Sequence, residues 1–382
     1  MSLVNPVPSS WPEDDAASAA RPNASGKLRR VLLRLLLVAF GIAVGLGLCE
    51  IIMRNFQLGS PRVGLLYHDR IYKLPPHAKF MNYDENTNLV ETNNFGFHDH
   101  ERAASNDNYR ILFLGDSFLE GRQVKTDSLF TSQLEKQLSQ NGQKVEVING
   151  GVPGTGTAYQ YVLWKEFFEP QIKVDHVVLC FFLGNDLVDN NLELKRAGLS
   201  GTEMSFYVDS QGNILDIGEK PGRFKKAANY LRDHSVLFNT SYEAAYRVRS
   251  QLTPGIGDPG PVGEVERGAK GGAWEAAETG TLALIKRWKA ELAGKKMPFD
   301  IVLIDRPGKV YNRFEQDFLQ RLQAACLHEE IGFMRLRLGP DPFELYSFDG
   351  IRLGHFNEKG HQTTANELYE YLTTRYPAVL KK

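Results

Sequence analysis

The apolar run Ile111-Leu112-Phe113-Leu114 passes without a break into Gly115-Asp116-Ser117. With no polar residue alternating along it, a strand here needs cover on both faces, which parallel sheets obtain from flanking helices. The polar turn then falls at the carboxyl end of the strand, where open α/β sheets hold their ligands. Ser117 is therefore a candidate nucleophile. Gly-Asp-Ser also makes an ordinary β-turn or helix N-cap. A helix is expected to begin after Gly121.

Similar runs recur at Val145–Ile148, Val177–Phe182, Asp300–Asp305 and Ile331–Met334, alongside the first at Arg110–Gly115. Helical periodicity lies between them at Ser128–Leu138 and Phe314–His328, and a last helix runs to about Thr374. Strands alternating with helices of this length predict a three-layer α/β/α sandwich on a parallel sheet of about five strands. The stretch from Asp186 to Phe299 reads as an insertion. Within it, Ala227–Ser250 is helical as one piece or two, Thr253–Gly272 is a Gly- and Pro-rich excursion, and Ala276–Ala293 is helical again.

The turns after these strands carry the remaining chemistry. Asn149-Gly150-Gly151-Val152-Pro153-Gly154 lacks both the P-loop lysine and the dinucleotide spacing. Its glycines suit close approach of backbone to a ligand, so the Gly154 N–H is a candidate oxyanion donor; a simple tight connection is the alternative. Asn185, in Gly184-Asn185-Asp186, offers a side-chain amide on the same edge, in a sequence that equally makes turns. His355, shortly before the last helix, is a candidate base, or else a packing or capping residue. His361, six residues on, has no ligand set with it, and neither a metal nor another cofactor is expected. Asn93-Asn94-Phe95-Gly96-Phe97 is a compact turn, either packed as a loop or placed as a lip over the site.

A formal net charge of -1 and the lack of a clustered basic face argue against a nucleic-acid partner. The cysteines at 49, 180 and 326 indicate no disulfide framework. Residues 1–26 read as a disordered tail. From Val31 to Met53 the chain is almost wholly apolar, long enough as a helix to cross a bilayer, with Arg34 and Glu50 near its ends. Arg21, Lys27, Arg29 and Arg30 precede this run, which puts the N-terminus in the cytoplasm and the remainder outside. The run is long for a signal peptide and no cleavage site follows. Leu48 also spoils a lipoprotein box before Cys49.

Gly115-Asp116-Ser117, Gly154, Gly184-Asn185-Asp186 and His355, in that order, resemble the four blocks of the SGNH hydrolases, also called GDSL-type esterases and lipases. The resemblance spans about residues 108–375. Asn93–Phe97 and His355-Phe356-Asn357-Glu358-Lys359-Gly360-His361 resemble further features of bacterial membrane-anchored members. The resemblance implies a serine esterase in which Ser117 is the nucleophile, His355 the base, and Ser117, Gly154 and Asn185 hold the oxyanion. It also implies an acylated small molecule or polysaccharide as substrate, such as an acetylated envelope glycan. An O-acyltransferase, or a degenerate glycan-binding or scaffold domain, are the alternatives. The family's acid normally stands two or three residues before the histidine, where this chain has Leu353 and Arg352. Asp349 is then the expected acid. The expected organisation is a tail to residue 26, an anchor at 27–54, a connecting, lid-like segment at 55–107, and the hydrolase-like domain at 108–382 with its insertion at about 190–298.

Overall fold

The computed structural model describes residues 24–56, 58, 66–68, 71–83, 85–196, 206–218, 223–252, 271–305, 313–337, 339 and 341–380. The tail expected at 1–26 lies almost wholly outside them, as does most of the excursion after Thr253. The chain divides into two compact units, Met1–Phe56 and Gln57–Lys382. In the first, a helix spans Ala24–Asn55. From Arg29 onward it is long and apolar enough to cross a membrane, and its apolar side chains are exposed.

The second unit begins with short strands β1 (Leu66–His68) and β2 (Ile71–Lys73), which pair antiparallel. A second hairpin follows, β3 (Lys79–Asn82) against β4 (Asn88–Glu91). The central strand β5 (Tyr109–Gly115) leads into a one-turn helix, Ser117–Glu120, and then the helix Phe130–Leu138. Strands β6 (Val145–Gly151) and β7 (His176–Phe182) follow. A small hairpin, β8 (Phe206–Val208) with β9 (Ile214–Asp216), opens the insertion. Strands β10 (Phe299–Ile304) and β11 (Gly332–Arg335) complete the sheet.

The sheet is five-stranded, in the order β11-β10-β7-β5-β6, and every pair is parallel. Alternation of side chains across it explains why continuous apolar runs were required. Leu112 and Leu114 of β5, with Leu179 of β7 and Leu303 of β10, face a core closed by Trp164, Trp288 and Phe318. Ile111 and Phe113, with Val178, Cys180 and Val302, face the opposite core, closed by Leu134, Leu368 and Leu372. The insertion is thus partly structural, since its helix Gly271–Gly294 supplies Ala277, Leu284, Ile285 and Trp288 to the first core. Its other described residues include the helices Leu192–Arg196, Arg223–His234 and Val236–Leu252.

Strand order reverses between β5, whose next strand β6 lies to one side, and β7, which lies to the other. Such a switch point leaves a crevice beyond the carboxyl ends of the two strands. Ser117 and Asn185 follow those ends.

Candidate active site

The helix after β5 begins earlier than its sequence suggests. Asp116 accepts a hydrogen bond from the Phe118 N–H at 2.9 Å and caps the helix, so Ser117 is its first residue rather than part of a preceding turn. Gly121, in the left-handed region (φ 63°), ends that turn of helix; a Cβ there would lie 2.4 Å from Leu129. Ser117 is half-buried. Ser117 Oγ and His355 Nε2 are 2.7 Å apart.

The acid facing this histidine is Glu85, and Asp349 is not. Glu85 Oε1 lies 2.7 Å from His355 Nδ1, and Oε2 accepts the His355 backbone N–H, also at 2.7 Å. Asp349 instead accepts from the N–H groups of Ile351 and Arg352 and pairs with the Arg352 guanidinium at 2.9 Å. It shapes its own loop, and those donors hold its carboxyl far below the usual range. The loop has no need to fold back on His355, because the place beside the ring is already filled from the other side.

Glu85 stands at the tip of the β3–β4 hairpin, inside the segment expected to be connecting and lid-like. Its φ of 61° is a left-handed conformation that side chains other than Asn and Asp seldom adopt. The surrounding contacts enforce it. Asn86 Nδ2 donates to the Gln123 carbonyl at 2.9 Å, and Asn88 Nδ2 donates to those of Arg122 and Val124. These bonds fasten the hairpin to the loop just after the Ser117 helix. Gly354 completes the fit, because a Cβ at that position would lie 2.4 Å from the Glu85 carboxylate. Burial pushes the Glu85 carboxyl up, but the hydrogen bond and charge of His355 outweigh it and leave the group below its usual value. Sequence offered no local sign of this pairing across 270 residues. The one faint signal is the glycine immediately before His355, which leaves room for another group.

The other expected residues stand on the same edge. Gly154, at φ 65°, lies beyond β6, in a loop anchored where the Val152 N–H and Thr155 hydroxyl both donate to the Gly115 carbonyl. Asn185 follows β7, and its Nδ2 donates to Asp189 Oδ2 at 2.7 Å. Beneath the edge lie Asp116 and Asp186, both fully buried. Desolvation pushes Asp116 up to about 7 against the pull of the Phe118 N–H and His355, with Asp189 adding to the rise. Asp186 is driven well up by burial and by Asp116.

The residues flanking this constellation are structural. His361 is buried, accepts the Phe130 N–H at Nδ1 (3.2 Å), and is held neutral, its pKa lowered by burial to about 3. Asn357 caps the last helix, Glu358–Arg375, by accepting from the Gly360 N–H. Asn93 Oδ1 accepts from Phe95 and Phe97 N–H, and the Phe97 ring packs on Phe168 at 4.9 Å; this turn is a packed loop. Phe118 sits among Phe182, His355 and Phe356 and is buried core. No group of His, Cys, Asp or Glu suited to a metal occurs among the described residues.

No family model matches the chain. It is similar in structure to several esterases. The psychrotrophic esterase EstA from Pseudoalteromonas sp. is 10% identical, with a TM-score of 0.39, over 70% of this chain and 98% of that one. The lipase/acylhydrolase from Enterococcus faecalis is 14% identical (TM-score 0.36) over 70% and 96%. AlinE4, an SGNH-hydrolase family esterase, is 16% identical (TM-score 0.34) over 70% and 98%. Likenesses this distant assign no chemistry to the present chain. In sequence, ornithine decarboxylase antizyme 1 of Xenopus laevis is 27% identical over 135 residues, 35% of this chain, which thus spans about half the length of that relative (55%).

Proposed function

We propose that the chain is a serine ester hydrolase of the SGNH type, acting through Ser117, His355 and Glu85. The observation that carries this reading is the unbroken path from Ser117 Oγ through both ring nitrogens of His355 to the Glu85 carboxylate. Glu85 accepts a hydrogen bond from the His355 Nδ1–H, which selects the tautomer with Nε2 free to accept from the serine hydroxyl. His355 removes that proton as Ser117 Oγ adds to the ester carbonyl. The Ser117 and Gly154 N–H groups and the Asn185 amide stabilise the oxyanion. On collapse His355 returns its proton to the leaving alkoxide, and water, activated by the same nitrogen, releases the carboxylic acid and frees Ser117. The substrate suggested by the sequence resemblance is an O-acyl ester, acetyl in size, on an envelope carbohydrate.

The helix Ala24–Asn55 is proposed to anchor this domain in a membrane as a single span, with its basic N-terminal flank in the cytoplasm and the site on the far side. The enzymatic reading is tested with a serine-directed fluorophosphonate and a soluble acetyl ester. The folded protein should label at Ser117 and turn over the ester, and Ser117→Ala should do neither. Folded protein that fails to label would overturn it.

A further inference from the structure

The first helix of the insertion outside the core, Arg223–His234, has the periodicity of a surface helix but exposes the side that should be covered. Phe224, Ala227, Ala228 and Leu231 recur at i, i+3, i+4 and i+7, forming one apolar stripe. A globular protein buries such a stripe. Here Phe224 is 93% exposed and Leu231 45%, with Tyr230 at 62% beside them. The next helix, Val236–Leu252, adds exposed Tyr242 and Val248. The pair is locked together, since the Arg232 guanidinium lies 3.9 Å over the Tyr242 ring and donates from Nε to Asn239. The exposed stripe therefore belongs to an ordered element.

Charge indicates what covers it. The helix carries Arg223, Lys225, Lys226 and Arg232 against Asp233 alone, in a chain whose formal net charge is -1. Helical geometry puts Arg223 on one border of the stripe, where a long side chain reaches headgroups while the apolar groups beside it enter the acyl region. A short, polar-faced helix with Phe and Leu on one side and cations at the borders lies in the plane of a bilayer. We infer that Arg223–His234 is a second, interfacial membrane contact, seated on a surface containing anionic lipid. The occupant is the bilayer, chosen over a second copy of the chain because the first turn holds Arg223, Lys225 and Lys226 with no acidic residue and would repel its own image.

The test uses the full chain with Cys49→Ala, which leaves Cys180 and Cys326 buried, and Phe224→Cys labelled with the environment-sensitive fluorophore NBD. Protein is incorporated into vesicles of phosphatidylcholine, with or without phosphatidylglycerol. The label should shift to the blue and resist iodide quenching only where phosphatidylglycerol is present. Reversing Arg223 and Lys226 to Glu should weaken that insertion by at least about 25-fold, from roughly fivefold for each cation lost. A label that stays water-exposed on phosphatidylglycerol vesicles would overturn the inference. So would protection that follows protein-to-lipid ratio and ignores lipid charge, which is the behaviour of a second copy. Flotation of the same samples reads the Ala24–Asn55 anchor separately, and esterase turnover reads the active site, so failure of either proposal above is distinguishable from failure of this one.

Discussion

Glu85 decides how well His355 can work. Glu85→Gln keeps the shape but offers the His355 Nδ1–H no negative charge and adds an amide donor, so the ring loses its tautomer preference and its countercharge. The corresponding substitution in serine proteases lowers kcat by about 10⁴, and a fall of that order is expected in turnover of a soluble acetyl ester. Asp349→Asn should stay within about twofold of the parent, because that carboxylate serves only its own loop. The reverse pattern of losses would restore Asp349 as the acid. Asp116 gives a separate, pH-linked expectation. Its folded pKa of about 7 lies above the ordinary aspartate value, so the folded state holds a proton that the unfolded chain has lost between about pH 4 and 7. The resulting stabilisation is complete below about pH 4 and is lost as pH rises through 7. Asp116→Asn should flatten that decline in denaturant midpoints measured across the window, while its side-chain oxygen still caps the Ser117 helix.

At the scale of elements, the β3–β4 hairpin must dock for the acid to be present at all. Asn88 makes its two side-chain bonds to the carbonyls of the loop behind Ser117, and removing buried partners of this kind costs about 1–3 kcal/mol. Asn88→Ala should therefore lower turnover while the sandwich still unfolds cooperatively. In a Glu85→Gln background the same substitution should add little further loss of turnover, since the carboxylate it positions is already gone. Independent, multiplicative losses in the double variant would make Asn88 a stability residue only. The hairpin also shows where sequence reading stops. The five sheet strands were legible to within a residue or a few at each end, because β-period packing on two faces writes itself as continuous apolar runs. The short strands β3 and β4 bury only part of one face and leave no such run.

Over the whole molecule, the sandwich and the placing of Ser117, Gly154 and Asn185 on one edge followed from strand order and turn chemistry, which are local signals. The partner of His355 did not, because a contact between a loop at residue 85 and one at residue 355 exists only once the sheet has brought them together. The helical anchor is a question of the same scale. Protease added to intact cells or spheroplasts should digest the domain beyond residue 56 and spare a tag at residue 1. Protection of the whole domain would reverse or remove the proposed topology.

The proposed catalytic groups come off the ribosome in the order acid, nucleophile, base: Glu85, then Ser117, then His355. A nascent chain therefore holds an unactivated serine for most of its synthesis. A product truncated between residues 336 and 354 keeps all five strands of the sheet but lacks the proposed base, and is expected to be chemically silent.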